Sequence, residues 1–85
     1  MPDRLDVRWQ VAQSRGQWWD LPQSAVIDLC YRQSLATVTY EYDWGNGRIS
    51  HYQLHFARRE QLNIGTGRIR RVRRAFVEPM VQALS

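Results

Sequence analysis

TVTYEYDWGNGRISHYQLHF, residues 37–56, is the stretch on which the fold turns. Residues 37–42 are rich in β-branched and aromatic side chains, which suit a pleated, half-buried surface. Asp43-Trp44-Gly45-Asn46-Gly47 follows, and its Asn-Gly pair supplies the positive φ angles that a tight hairpin needs. Residues 48–56 return as the partner strand, with Tyr52, Leu54 and Phe56 on one side. Towards the N-terminus, residues 24–32 carry Val26, Leu29 and Cys30 at three- and four-residue spacing, with Ala25 and Leu29 a further pair. That is one short amphipathic helix, and Pro22 suits its first turn. Before it, Val7, Trp9 and Val11 alternate with Arg8, Gln10 and Ala12, the period of a strand. Ser14-Arg15-Gly16 signals a turn, after which residues 17–20 return as a second strand.

Towards the C-terminus, residues 57–67 hold no sustained period, contain two glycines and end in Thr66-Gly67. They read as a loop with a turn of helix. Residues 68–74 alternate again, with Arg70, Val72 and Arg74 opposite Ile69, Arg71 and Arg73. The sum is an α+β domain, one helix packed on an antiparallel sheet, over residues 7–76. Residues 1–6 read as a disordered N-terminal segment, and residues 77–85 as a tail with a turn or two of helix from Glu78. Trp9, Trp18, Tyr31 and Tyr40 are assigned to the core. Trp19 points away from Trp18, and Trp44 occupies a loop tip.

A chain of 85 residues holds one small domain and excludes a large two-lobed enzyme. The length and the initiating methionine fit a stand-alone protein or an expressed domain alike. The apolar runs are too short for a membrane span, and no signal-peptide pattern opens the chain. One cysteine, Cys30, excludes an internal disulfide and agrees with an intracellular setting. All twelve basic residues are arginine. Codon bias accounts most simply for the missing lysine, but the distribution is informative. Between Arg58 and Arg74 seven arginines face one acid, a local charge of +6, while the rest of the chain carries −2.

Catalysis finds no support. Cys30 could pair with His51 or His55, but it falls on the apolar helix face, where a buried inert thiol is the usual outcome. No P-loop, GxSxG or HExxH is present. His51 and His55 share a strand face about 13 Å apart at about 3.3 Å per residue, too far for one metal ion. The basic segment is the stronger lead. Five arginines within seven residues repel one another unless an anion or a carboxylate lies near, and such a cluster attracts phosphate. Charges facing water are the ordinary alternative. Tryptophans and tyrosines elsewhere offer flat surfaces for a base.

Trp9, the Trp18-Trp19 pair, the short helix, Tyr52, Gln61 and the closing QLNIGTGRIRRVRR (residues 61–74) together resemble a WWE domain. The closing segment is most similar to those of Deltex-type ubiquitin ligases, and Ala75-Phe76-Val77-Glu78-Pro79 resembles the continuation there. The resemblance implies a half-barrel of antiparallel strands wrapped about one helix. It also implies a non-catalytic module, without cofactor or metal, that binds ADP-ribose units. These are iso-ADP-ribose within poly(ADP-ribose), terminal ADP-ribose or an adenine nucleotide, and ADP-ribosylated proteins become partners. The implied pocket lies at one end of the half-barrel, adenine inside and phosphates at a basic rim.

Carried over position by position, Tyr52 bonds a phosphate through its hydroxyl. The Gln61 amide donates to and accepts from a base or sugar. Arg70 meets a phosphate as a charge-assisted fork. Trp19 matches a second tryptophan of some binders, and Arg73 and Arg74 match the basic end of the motif. The sequence also departs from the family. The loop from Trp9 to Trp18 is longer than usual, Gln10 stands where binders often carry an aromatic, and His55 replaces an aspartate. Arg59 replaces a methionine, which predicts different packing after Phe56. Two other functions fit the residues: polyanion or nucleic-acid binding by residues 68–74, and a protein-interaction module with no small ligand.

Overall fold

The computed structural model describes residues 5–78. In chain order the elements are β1 (Asp6–Ala12), a 3-10 turn (Ser14–Gly16), β2 (Trp18–Asp20), α1 (Ser24–Arg32), β3 (Thr37–Gly45), β4 (Arg48–His55), β5 (Glu60–Asn63) and β6 (Ile69–Val77). The strands form one six-stranded sheet in the order β2-β1-β6-β5-β4-β3, every neighbouring pair antiparallel. The sheet curls into a half-barrel, and α1 lies in its concave side. The central hairpin turns where its sequence directs. Asn46 and Gly47 take φ of 55° and 75°, the pair of positive angles that matches the twist of a two-residue hairpin turn.

Register decides which side chains share the concave face. Val38, Leu54, Gln61 and Arg70 stand in one row across β3, β4, β5 and β6; Tyr40, Tyr52 and Asn63 form the next. On the other half, Val11 pairs with Val72 and Trp9 with Arg74. Trp9, Val11, Leu21, Ile27, Leu54, Phe56 and Val72 make the buried core, with Trp9, Ile27 and Leu54 fully enclosed. Trp9 is its pivot. Its ring meets Tyr31 and Phe56 edge-on at 5.3 and 5.4 Å, a geometry that aligns positive ring edges with negative faces.

The helix docks on Trp9 through polar atoms as well as apolar ones. Ser24 Oγ accepts the Trp9 backbone N–H at 2.7 Å, and Asp28 Oδ1 accepts Trp9 Nε1–H at 3.0 Å. The inward face of α1 is therefore Ser24, Ile27, Asp28 and Tyr31. Val26 and Leu29, expected to face the core, are exposed, and Cys30 is half-buried at the core's edge. Two buried polar residues rotate the helix away from its apolar pattern.

Three further expectations are corrected. Residues 60–63, read as loop, form β5 between β4 and β6. Trp18, read as core, lies half-buried beneath the Arg73 guanidinium, 4.2 Å from its ring centroid. The cause is register: Val11 pairs with Trp19, so Trp19 takes the concave side. The edges shift slightly, since β1 starts at Asp6 and β6 runs to Val77. The expected disorder of residues 1–4 and the helical turn after Glu78 lie outside the described residues.

Candidate functional site

α1 and the core fill only one end of the half-barrel. At the other end the rows of register leave a cavity of about 530 Å³. Its floor is laid by Tyr40, Tyr52, Gln61 and Arg70, each placed by its strand. The Tyr40 and Tyr52 rings stack at 5.7 Å. Gln61 is buried, and its Oε1 accepts the Tyr40 hydroxyl. That bond fixes which way the amide faces. Oε1 is committed to Tyr40, so the Nε2 end is the donor that remains. Burial, with the adjacent Tyr52 adding to it, pushes the Tyr40 phenol far above its ordinary range, so it stays a neutral donor at every physiological pH.

Aromatic rings wall the cavity. Trp19 closes it on the β2 side, and Tyr42 and Trp44 on the β3 side, their rings 4.6 Å apart and edge to face. Trp44 Nε1–H is held by Ser50 Oγ at 2.9 Å, which sets the indole at the mouth. The basic groups come from β6 and the turn before it. Arg70 Nη1 donates to the Ala12 carbonyl at 3.2 Å, a single anchor on an uncharged acceptor. Among the described residues no carboxylate lies within ion-pair distance of Arg70 or Arg68. Two guanidinium groups therefore line the cavity unpaired, and the carboxylate that also lines it, Asp20, is held by Arg8 and Gln10. The turn that carries Thr66 and Arg68 is firmly built. Asn63 Oδ1 accepts the Gly65 and Thr66 amides at 3.0 and 3.2 Å, and Gly67 takes φ of 78°, where a side chain would be strained.

The structure thus brings Tyr52, Gln61, Arg70 and Trp19 to one cavity. It does not bring Arg73 there. Odd and even positions of β6 face opposite sides, and Arg73 lies on the convex side, bonded to Gln10 Oε1 at 2.8 Å and stacked on Trp18. Gln10 shares that outer face, donating to Asp20 Oδ1 at 2.8 Å, rather than lining the cavity. Arg74 is on the concave side but at the filled end. Its Nε donates to Asp28 Oδ1 at 2.7 Å. The hydrogen bond from Arg74 holds the Asp28 carboxyl below the usual range, against burial, with Trp9 and Arg32 assisting.

Sequence reading missed Tyr40, Tyr42, Trp44 and Arg68 as lining residues. The signal for Tyr40 and Tyr42 was present in the hairpin, where they alternate in step with Tyr52 on the facing strand.

A half-barrel closed around one helix, with a tryptophan pivot and an open aromatic end, has a match among known families. The WWE domain matches over residues 7–74. The chain belongs to the WWE domain family. That family comprises non-catalytic binding modules, known for protein interaction and for ADP-ribose-related binding. No curated protein matches the chain. In this WWE domain no helix of the described residues is long and apolar enough to cross a membrane. Among those residues no three potential metal ligands cluster either.

Proposed function

We propose that this WWE domain is a reader of ADP-ribose units, acting inside the cell in ADP-ribosylation and ubiquitin signalling. On this reading its C-terminal motif, residues 61–74, is akin to those of the WWE domains of Deltex-type ubiquitin ligases. The ligand is iso-ADP-ribose within poly(ADP-ribose), terminal ADP-ribose or an adenine nucleotide, and ADP-ribosylated proteins are the partners. One observation carries the reading: Tyr52, Gln61 and Arg70, distant in sequence, converge on one open cavity walled by aromatic rings. About 300–1,000 Å³ is the usual volume of a small-ligand site, and this cavity falls within it. A flat base fits between the tryptophan and tyrosine rings, the Gln61 amide addresses its edge, and Arg70 with Arg68 supplies the missing counter-charge for phosphate.

The polyanion reading is weakened by the same geometry. Arg74 is spent on Asp28, Arg73 on Gln10 and Trp18, and Arg70 turns inward, which breaks the continuous basic track that a polymer backbone would follow. Calorimetry with iso-ADP-ribose, ADP-ribose and ATP tests the proposal. Saturable heat with at least one of them is expected, with a shallow dependence on salt. No heat from the folded domain at millimolar ligand would reject it, and a steep salt dependence would favour diffuse phosphate contacts.

A further inference from the structure

A second concavity, about 600 Å³ and wide open, lies at the filled end of the half-barrel. Its lining joins the end of α1 to the chain after β4 and includes Tyr31, Arg32, Leu35, Ala36, Phe56 and Arg59. Two arginines line it and no acid does. Arg59 is the unusual member. At φ of 54° the backbone turns, and the guanidinium lies over the rings of Trp9 at 5.3 Å and Tyr31 at 5.2 Å. Among the described residues no carboxylate is within ion-pair distance of it, and its Nη1 is buried without an acceptor.

Such a group does little for the fold. The two rings recover part of the cost of drawing a charge towards the core. An apolar side chain would fill the place without that cost. The neighbouring acid cannot compensate, because Asp28 already serves Arg74, Arg32 and Trp9. The end of a helix opposes anions through its free carbonyls. Here the Leu29, Tyr31 and Cys30 carbonyls are closed by the amides of Gln33, Ser34 and Leu35, so that opposition is blunted. The positive charge at this end is left for something outside the domain to balance.

We infer that this groove docks an acidic peptide segment of a partner protein. A carboxylate of the segment balances the delocalised charge of Arg59, Arg32 adds to the attraction from the groove's edge while sharing Asp28 with Arg74, and an aliphatic neighbour lies on Leu35 and Ala36. Two arginines set in an aromatic and aliphatic lining suit a carboxylate on an otherwise apolar strand, whereas a phosphate polymer needs a longer basic track. The inference is independent of the ADP-ribose reading, which concerns the opposite end.

The test is an amide-shift titration of the folded domain with the acetylated, amidated peptide Leu-Glu-Glu-Leu-Glu-Glu. Saturable shifts are expected at residues 31–36 and 56–59 and not at residues 61–70. Replacing the glutamates by glutamine, or Arg59→Met in the domain, should weaken binding at least about tenfold. Methionine keeps the bulk and the contact with the rings, so this variant retains the fold. Arg32→Gln, on the exposed helix surface, is a second variant expected to weaken binding. Shifts of the same amides by pyrophosphate or oligodeoxythymidylate, with none from the peptide, would overturn the peptide assignment. Absence of shifts with every probe, or affinity unmoved by both variants, would overturn the site itself.

Discussion

The two ends of the half-barrel are made from the same kinds of residue and differ in one respect. At the filled end Trp9, Tyr31 and Phe56 pack together, and Arg74 reaches a carboxylate, Asp28, delivered by α1. At the open end Trp19, Tyr40 and Tyr52 surround a space, and Arg70 reaches only the carbonyl of Ala12. Both arginines stand on the same face of β6, four residues apart. One has its charge neutralised from within and holds the structure together. The other has no ion pair among the described residues, and on the proposed function a ligand phosphate neutralises it. An arginine on a strand says little by itself; what α1 brings opposite it decides its role.

The largest expected effect breaks the filled end. Asp28 and Arg74 are largely buried, with side chains 12% and 21% exposed, so removing one partner strands the other. Asp28→Asn should lower unfolding stability by about 3 kcal/mol at neutral pH, measured by chemical denaturation. The pH dependence follows from the sign of the shift. Asp28 titrates below its ordinary value of 3.8, so its contribution is complete above that pH and is lost as pH falls through the lower, folded value. Below about pH 4 the parent protein should therefore lose stability more steeply than Asp28→Asn, and parallel curves would remove Asp28 from the account.

Next comes the open end. Arg70→Ala should cost at least tenfold in affinity for ADP-ribose, about 1.4 kcal/mol, in a calorimetric titration. The same variant should lower stability by about 1.5 kcal/mol, half the effect at the filled end, since it forfeits one charge-assisted hydrogen bond to an uncharged acceptor. A large loss of stability with unchanged affinity would reverse the assignment of the two arginines. The smallest effect sharpens the picture. Tyr40→Phe releases the Gln61 amide from its fixed orientation and should weaken adenine-ligand binding by about 1 kcal/mol, roughly fivefold. Affinity equal to the parent's would show that the amide needs no such anchor.

Much of this contrast was legible in the sequence, for particular reasons. The hairpin was clear because β-branched and aromatic residues flank an Asn-Gly turn, and the helix because Val26, Leu29 and Cys30 recur at three- and four-residue spacing after Pro22. Its rotation was hidden. Ser24 and Asp28 face inward to bond Trp9, and hydrophobic periodicity carries no record of a buried polar anchor. β5 was hidden because four residues between an arginine turn and a glycine turn hold too little pattern to show a period. Three of the expected ligand residues are on neighbouring strands, and register gathers them, whereas Arg73 fails on parity alone, one position out of step with Arg70 and Val72. Trp18 and Trp19 could be told apart only once β2 was paired with β1.

Asp6 and Val77 are register partners on adjacent strands, side by side at the filled pole. The domain therefore has the geometry of a plug: entry and exit share one socket, and the cavity looks out from the far pole. Grafting residues 6–77 into a surface turn of an unrelated host should present the cavity outward without straining either fold, since only one short gap needs bridging.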